Sequence, residues 1–270
     1  RRRNGRGYLT LKNPLPVDEE VGFEEADHIY TMYRTDGSTF QVMRSTTGLV
    51  HDCFAPFVAR SGTHTKVDKA GKEVPIIGTV DKFYNIWKRK QSTKYWEIIK
   101  LTTPEYGELY TDVEAMDKIA ESWTHAGEEA CRLGTLFHLY CELLWDQPVA
   151  SLEELDMDRQ SLWREEKYSE VHTEIQHYHD FLKSDWVRKF QLRKYRSELS
   201  IHYTRDGVTA CAGQIDGLYI ATYPSTGEHF YVMIDYKRIK AEKDCTRHKR
   251  PFKDENGPQM GQGPMAAYPD

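Results

Sequence analysis

Hydrophobic spacing changes several times along this chain. Residues 1–27 show no regular period; they are polar, with Pro14, Pro16 and the acids Asp18, Glu19 and Glu20, and predict an irregular arm. Short alternating runs at 28–34 and 39–44 predict strands around a turn at Asp36, Gly37 and Ser38. Residues 44–57 read as a strand leading into a short helix, and 64–78, rich in Lys and Gly, as loop. From Asp112 the apolar positions Val113, Met116, Ile119, Ala120 and Trp123 recur every three or four residues, the spacing of a helix face. A second helix is expected from about 128 to 145, turning Leu133, Phe137 and Leu144 to the core, and a third from about 161 to 182. The period then shortens. Three β-rich segments, 195–203, 211–223 and 229–236, are separated by turn residues at 204–207 and 224–227.

Helices followed by a three-stranded meander predict an α+β, mixed α/β fold, with helices flanking a central sheet. One domain is expected over 28–270, its helical part at about 112–183 and its functional sheet at about 193–240. The sequence shows no internal repeat and no low-complexity tract.

Composition narrows the class. With 39% hydrophobic and 29% charged residues the chain suits a folded globular protein. No apolar run reaches the length of a membrane-spanning helix, and the basic start of the chain precedes no apolar segment, so neither a membrane anchor nor a secretory signal is expected. Five scattered cysteines, without a Cys-x-x-Cys pair, argue against a zinc knuckle and a disulfide framework, and for a reducing intracellular compartment. The net charge of -5 counts against a protein that merely coats nucleic acid. That average hides two basic stretches. Residues 237–253 carry eight Lys or Arg against two acids, and 187–196 carry Arg188, Lys189, Arg193, Lys194 and Arg196 with no acid. Each reads either as a solvated face or as a track for phosphates, with Arg238, Arg247, Lys249 and Arg250 the candidate contacts.

The candidate chemistry lies beside these stretches. Asp216, in Gly-Gln-Ile-Asp, ends up one strand away from Asp235-Tyr236-Lys237. Residues 235 and 237 leave a strand on the same side, which sets a carboxylate beside an ammonium. The apolar run Tyr231-Val232-Met233-Ile234 predicts a strand buried on both faces, where a charged pair at the strand end needs a partner or a metal. Two carboxylates suit a hard cation, Mg2+ or Mn2+. On the preceding helix Gly134, His138 and Glu142 are four apart and share one stripe. His138 is either a metal ligand or a satisfied core histidine, Glu142 a site residue or a surface partner, and Gly134 a point of close backbone approach. Glu198, on the first strand of the meander, is expected to reach the metal or Lys237.

Together, Gly-Thr-Leu-Phe-His at 134–138, Glu198, Gly-Gln-Ile-Asp at 213–216 and Asp-Tyr-Lys at 235–237 resemble the PD-(D/E)XK nuclease superfamily, in its branch of RecB-type, YqaJ-like and CRISPR-associated exonucleases. Residues 44–57 are also similar to the N-terminal segment of such nucleases in large DNA viruses. The resemblance spans roughly residues 112–240 and implies a restriction-endonuclease-like core with a central mixed sheet. It also implies metal ligation by His138, Asp216, Asp235 and the Tyr236 carbonyl, with Lys237 serving catalysis. A helix bearing a Gln and a Tyr follows in that branch. The present chain ends about where that helix would begin, so the domain is expected to be cut short at its C-terminus.

The expectation is a divalent-metal-dependent deoxyribonuclease acting on DNA ends or single strands, with catalytic candidates Lys237, Asp216, Asp235 and Glu198. An RNA endonuclease and a catalytically silent nucleic-acid-binding module of the same fold are the rivals. The sequence does not indicate an oligomeric state.

Overall fold

Helices and antiparallel sheets share this chain, an α+β arrangement. The computed structural model describes residues 2–3, 8–24, 27–42, 44–52, 57–62, 64–67, 70–146, 168–205 and 208–238. The chain divides into two compact units, residues 55–131 and residues 1–54 together with 132–270.

In the 55–131 unit the first element is an antiparallel hairpin of Thr65–Val67 and Glu73–Pro75, where the Lys and Gly content had suggested loop. The core packs Val80 and Tyr84 of the helix Thr79–Trp87 against Ile99, Ala115 and Ile119, with Trp87, Trp96 and Trp123 around them. Helix α1 (Asp112–Asp146) starts in this unit with a reciprocal cap. The Thr111 N–H donates to the Glu114 carboxylate (2.7 Å) and the Glu114 N–H to the Thr111 hydroxyl (3.2 Å), which satisfies two donors at the helix start.

Helix α1 joins the two helices expected at 112–123 and 128–145. The intervening residues 124–132 are all exposed, so the apolar stripe is interrupted while the helix continues. That segment contains one glycine, Gly127, and no proline; a helical glycine costs only about 1 kcal/mol, too little to break the helix. Val113, expected to face inward, is exposed.

The larger unit holds the sheet of interest. Strands β1 (Arg193–Arg205), β2 (Val208–Thr222) and β3 (His229–Ile234) form an antiparallel meander in the order β1-β2-β3. Gly227 takes a left-handed φ of 74° in the expected turn before β3. A second sheet is built from Arg2–Arg3, Val21–Glu24, Ile29–Tyr33 and Thr39–Gln41. The mixed sheet is not found: every ladder among the described residues is antiparallel, and the parallel pairing is an isolated bridge between Ser45 and Ala212. The helix Thr46–Asp52 sits on β2, where the Thr46 hydroxyl donates to the Ala212 carbonyl (3.1 Å) and Gly213 leaves room for the Thr46 side chain.

Helix α2 (His172–Leu182) packs with the C-terminal half of α1 through Leu133, Phe137, Cys141, Tyr178 and Tyr236. Of the third helix expected at 161–182, residues 161–167 lie outside the described residues. Within the arm at 1–27 the described residues include regular elements: Tyr8–Lys12 and Val17–Glu20 are helical, and Val21–Glu24 is a strand. What organises it is distant in sequence. Asp18 receives two hydrogen bonds from the Arg196 guanidinium (2.8 and 2.6 Å), with side-chain exposures of 9% and 1%. Strand β3 also departs from expectation. Its burial alternates, with Tyr231 and Met233 exposed, because no further strand or helix among the described residues covers that face.

No helix among the described residues is long and apolar enough to cross a membrane. Cys131, Cys141 and Cys211 are free thiols; Cys53 and Cys245 lie outside the described residues.

Candidate metal centre

Three side chains meet where α1 crosses the paired strands β1 and β2. His138 comes from α1, Glu198 from β1 and Asp216 from β2, and one potential ligand atom from each lies within 4.8 Å of the others. The ladder explains the carboxylates. Ser197 pairs with Gly217 and Leu199 with Ile215, which sets Glu198 directly opposite Asp216. Like charges in that position repel. Glu198 also has a left-handed φ of 44°, a region that non-glycine side chains seldom adopt and that costs about 1–3 kcal/mol. Two unfavourable features thus coincide at one residue of β1, away from the register shifts at Lys194–Arg196 and Tyr203–Thr204.

The His138 ring is held from one side. Its Nε2 lies 2.9 Å from the Tyr236 carbonyl oxygen. A carbonyl only accepts, so in the neutral ring Nε2–H donates and the lone pair falls on Nδ1. Nδ1 faces the carboxylates, 3.7 Å from Asp216 Oδ2 and 3.9 Å from Glu198 Oε1, beyond hydrogen-bond reach. The Tyr236 N–H donates to that same Asp216 Oδ2 at 2.7 Å. The main chain of Tyr236 therefore contacts both His138 and Asp216, through its carbonyl and its N–H.

The other expected site residues are placed differently. Strand β3 ends at Ile234, and Asp235 is paired with Lys237 Nζ at 2.8 Å, both side chains being largely exposed. The carboxylate of Asp235 is not among the three that converge. Nor is Glu142, which lies one turn beyond His138. The Tyr236 carbonyl, expected as a ligand, is the partner of His138. Among the described residues nothing lies within 4 Å of where a Gly134 Cβ would be, so no close backbone approach is seen there. Arg238 donates through Nε to Glu174 at 2.8 Å. Arg247, Lys249 and Arg250 lie outside the described residues. In the stretch 187–196, Lys194 and Arg196 are buried, so two of its five bases do not belong to a solvated face.

What sequence reasoning missed is the buried cluster that three tyrosine side chains form. Tyr178, Tyr219 and Tyr236 are buried, and Lys194 Nζ reaches the Cys141 carbonyl at 3.1 Å and the Tyr236 hydroxyl at 3.5 Å. Burial pushes the Tyr219 and Tyr236 hydroxyls far above the ordinary phenol range; Tyr178 adds to both shifts and Tyr219 to that of Tyr236, while the bond from Tyr236 works against that of Tyr219. Burial also pushes the Cys141 thiol up to about 12, against the opposing pull of Lys194 and with the help of Glu198 and Asp216. The available signal was weak: a tyrosine between the two charged residues at 235–237, and Tyr219 three positions after Asp216.

One nitrogen and two carboxylates, with the imidazole tautomer set by the Tyr236 carbonyl, form a group that could hold a metal ion. No protein-family model, curated protein or solved structure matches this chain.

Proposed function

We propose that this chain is a divalent-metal-dependent nuclease with a restriction-endonuclease-like core, hydrolysing DNA phosphodiester bonds at ends or on single strands in a reducing intracellular compartment. The observation that carries the reading is the orientation of His138. Its Nε2–H is committed to a backbone carbonyl while Nδ1 turns toward two carboxylates, the arrangement of an imidazole readied for a cation. The repulsion between Glu198 and Asp216 and the left-handed backbone at Glu198 support it, since strain collects at functional positions. His138, Glu198 and Asp216 would hold Mg2+ or Mn2+. When bound, such an ion activates water and offsets phosphate charge. Lys237, exposed and paired with Asp235, would stabilise developing negative charge at a reacting phosphate. The basic tract at 237–253 supplies phosphate contacts.

A second reading has its own support. Asp235 and Lys237 pair with each other away from the three converging side chains, which favours a module that binds metal and nucleic acid without cutting.

One experiment separates these readings. The full chain is incubated with single- and double-stranded DNA and RNA in Mg2+ or Mn2+, beside His138→Ala and a chelator control, with Mn2+ titrated calorimetrically. DNA cleavage that needs the metal and fails in His138→Ala is expected. Mn2+ binding without cleavage selects the silent module, and cleavage of RNA alone selects the ribonuclease. Unaltered Mn2+ affinity in His138→Ala removes that residue from the centre.

A further inference from the structure

The main chain of Tyr236 contacts two of the three converging side chains, and its phenol ring is anchored in a hydrogen-bonded cluster. The Tyr236 hydroxyl lies 2.8 Å from that of Tyr219, which lies 2.9 Å from that of Tyr178. Tyr178 in turn accepts from the Trp145 indole N–H at 2.8 Å, and Lys194 Nζ approaches the Tyr236 hydroxyl at 3.5 Å. The cluster draws on the same elements as the centre. Helix α1 supplies His138 and Trp145, β1 supplies Glu198 and Lys194, and β2 supplies Asp216 and Tyr219. Gly217 leaves the space: a Cβ there would lie 2.8 Å from the Tyr236 hydroxyl.

We infer that the buried Tyr178–Tyr219–Tyr236 cluster is a positioning device, which fixes the Tyr236 main chain so that its carbonyl sets the His138 tautomer and its N–H orients Asp216. The role of the cluster toward a cation rests on the metal-centre reading above; its role toward the imidazole does not. Residue 236 has left strand β3, so no ladder among the described residues holds its main chain in place. The ring anchor takes over that task. Side chains behind a metal ligand fix ring orientation and tautomer, and their loss typically lowers metal affinity about 10–100-fold.

The test uses the full chain with Tyr219→Phe and Tyr236→Phe, each removing one hydroxyl and keeping the ring. Tyr84→Phe serves as control, since Tyr84 also bonds through its hydroxyl, to Asp112, in the other unit. Three quantities are read: the nitrogen resonances of the His138 imidazole in metal-free protein, the calorimetric Mn2+ affinity, and the melting curve. Both cluster variants are expected to lose the pure Nε2–H signature and to weaken Mn2+ binding about 10-fold or more, with the control unchanged in both. A merely structural cluster would lower the melting midpoint while leaving the imidazole resonances and Mn2+ affinity as in the parent, and that result overturns the inference. A parent that binds no Mn2+ overturns the metal reading, and the imidazole resonances alone then uphold or overturn the positioning role.

Discussion

Asp18→Ala tests how the N-terminal segment is tied to the sheet that carries the centre. Asp18 and Arg196 are separated by 178 residues and almost completely removed from water. Two charge-assisted hydrogen bonds join them, and Asp18 also accepts from the Leu15 N–H at 2.8 Å. Truncating the acid leaves a buried guanidinium whose Nε already lacks a partner among the described residues. Breaking a buried pair from one side costs about 3–5 kcal/mol, a large share of the roughly 5–15 kcal/mol that holds a domain folded. Urea denaturation of the full chain should therefore show a much lower midpoint for Asp18→Ala. The double replacement Asp18→Leu with Arg196→Met should recover most of the loss, because it removes both charges and leaves neither orphaned. Asp117→Ala provides the comparison: its bond to Arg60 (2.7 Å) is half exposed on the Asp117 side, and such pairs contribute about 0.2–1 kcal/mol. If Asp18→Ala costs no more than Asp117→Ala, the pair is not the tie proposed.

Lys237→Met should retain Mn2+ affinity, because Lys237 bonds Asp235 and touches none of the converging ligands, while cleavage drops about 10²–10³-fold; cleavage equal to the parent's removes the assignment. Thiol labelling of the native chain at about pH 8 should modify the exposed Cys131 and spare Cys141, whose burial disfavours the thiolate; rapid modification of Cys141 would show that the α1–α2 interface opens readily. In the 55–131 unit, burial raises the Asp81 carboxyl, but the Ser61 N–H and the Arg60 guanidinium outweigh it and hold it below the usual carboxylate range. A lowered folded pKa gives stability that is present above the unfolded value of about 3.9 and is lost as pH falls through the folded one. The melting midpoints of Asp81→Asn and the parent should therefore differ at neutral pH and converge below about pH 4; a gap that persists in acid refutes this.

Local pattern determined much of what is seen. Period located the two halves of α1 and the meander β1–β3, and turn residues located the turn at Gly227, because helix faces, strand alternation and turn chemistry are written in neighbouring residues. Residue chemistry also singled out His138, Glu198 and Asp216, since an imidazole among apolar neighbours and acids on core strands need partners. The sequence could not show which charges converge. Asp235 and Lys237 looked central from their spacing, yet the end of β3 at Ile234 leaves them paired on the surface. Lys194 and Arg196 looked like surface bases, yet both are buried, because Arg196 meets Asp18 and Lys194 meets the Cys141 carbonyl and Tyr236. The continuity of α1 through an exposed, stripe-free segment is of the same kind. These outcomes depend on long-range partners and on where a ladder stops, and only the tertiary structure, which balances desolvation against pairing, decides them.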